Sequence, residues 1–209
     1  MKKFLKLIGI LAGLAILVVI AIVALMPWMD RWGATDNEVT ASHSGDELVP
    51  SPRITYTRAI SINAAPEVIY PWIVQLGAEK GGMYSYDWFE TNILQCELMN
   101  ADRIHEEWQN LKVGDAMKMC PGTSGPPPYE IAILEPNHAI VMGHKDNSKW
   151  VEVWQFSLVP QADGATHLVI RSRNAAQGWF WDVIRPGEFI MMRGMMLGIR
   201  ERAEGLSGK

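Results

Sequence analysis

The sequence predicts an α+β fold: a curved antiparallel sheet wrapped around a long C-terminal helix, behind one N-terminal transmembrane helix. Three observations predict it. Residues 186–204 carry Met191, Met192, Met195, Met196 and Ile199 at three- and four-residue spacing, which marks a helix with one apolar face. Between residues 129 and 173, short apolar runs follow one another across tight turns, which favours hairpins over crossovers. Residues 4–26 are almost unbroken apolar sequence.

The N-terminal run reaches about 34 Å as a helix, against about 30 Å for a bilayer's hydrocarbon core. It is longer than the apolar stretch of a signal peptide, and it ends in Ala-Leu-Met-Pro-Trp without a small-x-small cleavage pattern. An uncleaved anchor over residues 1–29 is therefore expected. Lys2, Lys3 and Lys6 precede the run, and Arg31 alone follows closely, beside Asp30, Asp36 and Glu38. The positive-inside rule then puts the N-terminus in the cytoplasm and the domain outside it. Residues 30–52 read as a stalk. Thr35-x-x-Glu38 has the form of a capping box there, and Pro50 and Pro52 prevent a long helix. The folded domain spans 53–205.

Ile54, Tyr56, Ile60 and Ile62 alternate with polar residues, which predicts a first strand. Pro66 suits a helix start, and Glu67–Leu76 reads as a short helix that Pro71 should kink or shorten. Tyr84–Leu94 is a second helix candidate, with Tyr84, Trp88 and Thr91 on one face. Pro121–Pro128 holds four prolines and two glycines and reads as a loop. Short strands are expected at 116–120, 129–134, 139–143, 149–159 and 166–173. The last helix is expected to open at Pro186, with Glu188 in its first turn and Gly205 as its stop.

Charge and composition exclude some classes. The net charge is −4 although three lysines sit at the extreme N-terminus, so nucleic acid is not an expected partner. Nine tryptophans suit large apolar pockets and membrane interfaces. Cys96 and Cys120 exclude a disulfide scaffold but leave open either one bridge or two buried thiols. No His-Glu-x-x-His, Cys-x-x-Cys, phosphate loop or dinucleotide glycine motif occurs, and no metal or cofactor is expected. His138 and His144 are about 20 Å apart if both lie on one strand, too far to share a metal.

Several stretches carry a resemblance: Arg31-Trp32-Gly33-Ala34-Thr35, Gly45–Pro50, Trp72–Gly77, Tyr84–Glu90, Asn100–Ile104 and Pro186–Glu204. They and the order of elements resemble bacterial membrane-anchored members of the SRPBCC superfamily, the START-like and polyketide cyclase-like helix-grip domains. The resemblance implies a cavity between sheet and C-terminal helix that holds a hydrophobic small molecule or lipid. It carries over no catalytic motif.

The expected ligand-binding side chains are Trp72, Tyr84, Trp88, Trp154, Met192 and Met195, because large aromatic and flexible sulfur side chains fit irregular apolar ligands. Asp102, Arg103 and His105 put acid, base and imidazole together. They are the candidates for proton transfer if the domain is an aromatase/cyclase-type enzyme. Arg171 and Arg173 on a strand are expected to be exposed, or one of them to meet a ligand carboxylate or an acidic core residue such as Asp102. The favoured reading is a membrane-tethered binding domain for an apolar ligand. The alternatives are a cyclase-like enzyme and a ligandless protein-interaction module.

Overall fold

A computed structural model describes residues 2–93, 95–122 and 125–207. Helix α1 (Lys2–Asp30) leads into a short helix α2 (Asp36–Thr40), strand β1 (Ile54–Ile62), and helices α3 (Pro66–Val74) and α4 (Asp87–Asn92). Strands β2 (Ala116–Met117), β3 (Tyr129–Glu135), β4 (Ala139–Asp146), β5 (Lys149–Pro160) and β6 (Thr166–Asn174) follow, and helix α5 (Phe180–Ser207) closes the chain.

Among the described residues the sheet has six antiparallel strands in the order β1-β6-β5-β4-β3-β2. Each of β3 to β6 pairs with its sequence neighbour, because tight turns leave no room for crossovers. Asn147 and Ser148, both at positive φ, make the two-residue turn between β4 and β5. The first strand returns to pair with the last, Ile54 opposite Asn174 through Ile62 opposite Thr166.

One face of the sheet carries Ile54, Tyr56, Ile60, Ile62, Trp154, Phe156, Leu158, Leu168 and Ile170, all buried against α3 and α5. Alternation dictates this: inward residues recur every second position. Arg58 falls on the same inward face and is fully buried. Its Nε donates to the carbonyl of Met29 at 2.8 Å, and its guanidinium lies 3.9 Å from the Tyr56 ring centroid and 5.1 Å from that of Phe189. With Arg185 paired to Asp30, and Trp28 edge-on to Phe189 at 5.6 Å, Arg58 ties the end of α1 into the core.

Of residues 30–52, expected as a stalk, Trp32 packs with the inner core and residues 35–50 lie on the opposite face of the sheet. Arg171 donates to the carbonyls of Glu38, Val39 and Ala41 and to Asp46 Oδ2. Arg173 holds the carbonyls of Val49 and Pro50. Val49 is buried with Val141 and Val153. These arginines therefore meet Asp46 and backbone carbonyls, not Asp102. The expected capping box is present: Thr35 and Glu38 exchange hydrogen bonds at the start of α2.

Two boundaries differ from expectation. Helix α5 begins at Phe180, six residues before Pro186, and runs past Gly205. Arg53 clamps its first turn through Asp182 at 3.0 Å, which stabilises helix ahead of the proline. The expected helix from Tyr84 shrinks to six residues, because Tyr84 takes a left-handed conformation at φ 54° and cannot continue a helix. Leu94, its expected end, lies outside the described residues.

Candidate functional site

Helix α5 supplies one wall of a cavity. Glu188, Met192 and Met195 recur at four- and three-residue spacing and project from one face, with Met191 at its edge. The sheet supplies Trp154. Met83, Ser85, Glu90 and Leu98 come from the segment around α4, and Met119, Gly125 and Pro126 from the proline-rich loop. The space is about 280 Å³, partly open to solvent, and its walls are overwhelmingly apolar.

A disulfide between Cys96 and Cys120 joins the two covering segments at the cavity wall. The covering segment sits close on α5 because the helix is bare there. A Cβ on Gly198 would lie 2.0 Å from the Tyr84 carbonyl oxygen, and one on Gly194 would lie 2.7 Å from Ser85 Oγ. Two glycines one turn apart thus let the backbone of residues 84–86 rest directly on the helix.

The polar end of the cavity is organised from the sheet. Glu188 accepts a hydrogen bond from the Tyr56 hydroxyl, with Arg58 beside it. Burial pushes the Glu188 carboxyl up to about 7, although Tyr56 and Arg58 pull it down. Behind it, His144 Nδ1 lies 3.2 Å from Glu152 Oε2 and its Nε2 is 2.7 Å from the Pro127 carbonyl. Burial lowers the His144 pKa, but these two partners outweigh it and raise it overall. The Tyr129 ring lies tilted against the His144 ring, centroids 4.0 Å apart. Across the cavity, Glu90 is 1% exposed and neither carboxyl oxygen has a hydrogen-bond partner among the described residues. Burial, and then the nearby Asp87 charge, push it up to about 7.

Of the six expected ligand-binding residues, Trp154, Met192 and Met195 line this cavity. Trp72 is fully buried behind it, edge-on to Tyr84 at 5.8 Å. Tyr84 is core as well: its hydroxyl accepts from Gln75 Nε2 at 2.9 Å, and the Arg202 guanidinium lies 4.6 Å from its ring centroid. Trp88 is 69% exposed, on the outward side of the short α4. Asp102, Arg103 and His105 do not reach the cavity. Buried Gln75 binds their segment through the backbone, donating to the Arg103 carbonyl and accepting from the His105 amide, which leaves Asp102 and Arg103 exposed. His105 stacks on Trp108 at 4.0 Å and pairs with Glu107. No group of three or more metal-ligating side chains occurs among the described residues.

Sequence reasoning missed Glu90 and Glu188 as cavity groups. The spacing of Glu188 to Met192 and Met195 was a usable signal, masked by placing it in a first turn. Nothing local distinguishes Glu90 from an exposed helix carboxylate.

A six-stranded antiparallel sheet with its first and last strands paired, one long C-terminal helix across its inner face, and a cavity between them decide the architecture. The fold is a helix grip: an antiparallel sheet closed against one long C-terminal helix. The sequence matches no protein-family model and no curated protein. Among solved structures, it is similar to protein MLL2253 from Mesorhizobium loti, at 17% identity over 71% of this chain and 96% of that one, TM-score 0.42. It is similar to a polyketide-cyclase-like protein from Corynebacterium glutamicum, at 18% over 73% and 91%, TM-score 0.41. It is also similar to the di-domain ARO/CYC StfQ of the steffimycin biosynthetic pathway, at 12% over 79% and 55%, TM-score 0.47. At these identities the helix grip is a likeness of architecture.

Proposed function

We propose that the protein is a membrane-tethered binding domain that holds a small apolar molecule between its sheet and α5. The carrying observation is the apolar pocket of about 280 Å³, walled by methionines and Trp154. Such a volume is several times the roughly 30 Å³ that one water occupies, so a filled, ligandless core is disfavoured. Methionine walls adapt to ligands of differing shape. A cyclase-type activity through Asp102, Arg103 and His105 finds no support in their placement outside the cavity.

The tether is α1, whose residues 6–30 are long and apolar enough to cross a membrane. Trp28 is exposed at its end, and Trp179 and Phe180 are exposed at the start of α5, which is pinned to α1 through Arg185 and Asp30. Aromatic side chains at the end of a span suit the bilayer interface. The Cys96–Cys120 bridge and the N-terminal lysines both favour a domain outside the cytoplasm.

Native mass spectrometry of the full chain released from detergent micelles, with identification of whatever dissociates, tests the reading. A defined apolar molecule is expected on the wild-type protein and absent from Leu98→Trp, which fills the cavity from a half-buried rim position. Equal retention by both proteins would place the molecule elsewhere and reject the cavity.

A further inference from the structure

We propose that the ligand of this cavity is a small lipophilic amine, its cationic nitrogen bound by Glu90. The proposal rests on the cavity-binding reading and adds the chemistry of the head group. Glu90 is almost wholly buried, both its oxygens lack a hydrogen-bond partner among the described residues, and it lines the cavity. A buried carboxyl without a partner is unfavourable in either protonation state. A leucine or methionine would pack this wall without that cost, so the empty protein lacks a partner that the loaded protein supplies.

The walls say what that partner is. The other carboxyl of the cavity, Glu188, already accepts from Tyr56 and lies beside Arg58. Among the described residues, no lysine, arginine or histidine lines the space. A fatty acid or other anion would therefore meet two carboxyls and no cationic side chain on the described walls. A neutral alcohol would gain one ordinary hydrogen bond. A protonated amine gains a charge-assisted bond to Glu90. Methionines surround the remainder of the molecule.

The test uses the full chain in lipid nanodiscs at neutral pH and three probes with one apolar body: phenylbutylamine, phenylbutanol and phenylbutyrate. Binding is measured by isothermal titration against empty nanodiscs. The amine is expected to bind about 10- to 100-fold more tightly than the alcohol, the range of one charge-assisted hydrogen bond, and the carboxylate most weakly. Glu90→Gln is expected to bring the amine to the level of the alcohol, and alcohol binding by that variant reports that it is folded. If the alcohol binds and the amine binds no better, the amine proposal is overturned while the cavity reading stands. An amine preference that survives in Glu90→Gln overturns the assignment to Glu90. If none of the three binds, both readings fall together.

Discussion

At the scale of single residues, the inner face mixes two kinds of decision. Most positions follow solvent transfer: Phe156, Leu168 and Met195 are where burial of apolar area puts them. Arg58, Glu188, Glu90 and Glu152 are not, and each takes a polar side chain into the interior. Arg58 and Glu188 offset part of that cost through each other and through Tyr56. The consequence is a pH dependence with an unusual sign. A carboxyl whose folded pKa is raised stabilises relative to the ionised form below its unfolded value near 4.5, and the advantage is lost as pH rises through about 7. Stability should therefore fall by about 2 kcal/mol per such group between pH 5 and 8. Thermal melts of Glu188→Gln across that range should be flatter than those of the wild type; an equally steep decline would show that Glu188 is not the group titrating.

At the scale of elements, close approach matters more than propensity. Helix α5 contains Gly187, Gly194, Gly198 and Gly205, a composition that weakens an isolated helix. Gly194 and Gly198 are retained at the seat of residues 84–86, where a side chain has no room. Gly198→Ala would gain helix propensity and still lose stability, by about 2–3 kcal/mol, because overpacking forces the covering segment off the helix. A chemical denaturation midpoint equal to or above the wild type would refute this. Loosening the same segment should also speed exchange of any bound apolar probe. The Cys96–Cys120 bridge acts on the opposite edge of that cover and closes a loop with a sequence separation of 24. Reducing it should cost about 3 kcal/mol by the loop-entropy estimate.

At the scale of the whole molecule, both faces of the sheet are used. The inner face holds α5 and the cavity, and the outer face holds residues 35–50 through Arg171, Arg173 and Gln155. The N-terminal segment thus reaches the sheet in two places, α1 at Arg58 and residues 35–50 along the outer face. Replacing Arg171 by Met should release α2 and its neighbours, seen as fast amide hydrogen exchange over residues 36–48, while the cavity stays closed. Orientation in the membrane is testable on the intact cell. With the domain outside the cytoplasm, Cys96 and Cys120 should resist alkylation in whole cells until a reductant is added. Immediate labelling without reductant would reverse the proposed topology.

Much was legible from local pattern alone. Period-two alternation gave the strands and their faces, the methionine spacing gave α5, and length with uniform hydropathy gave α1, because each depends only on near neighbours in the chain. The same locality explains what was missed. Trp88 and Trp154 are chemically alike, yet one points to solvent and the other into the cavity, since a six-residue helix and a central strand orient them differently. The docking of residues 35–50 needs partners more than 100 positions away, as the Arg171 bonds to Glu38 and Val39 do. Sequence by itself determined the class of fold and the candidate span, because hydrophobic periodicity encodes which face is buried. Only the tertiary structure decided the cavity's chemistry, because the environment that leaves Glu90 unpartnered and raises Glu188 is assembled from the sheet, α4 and α5 together.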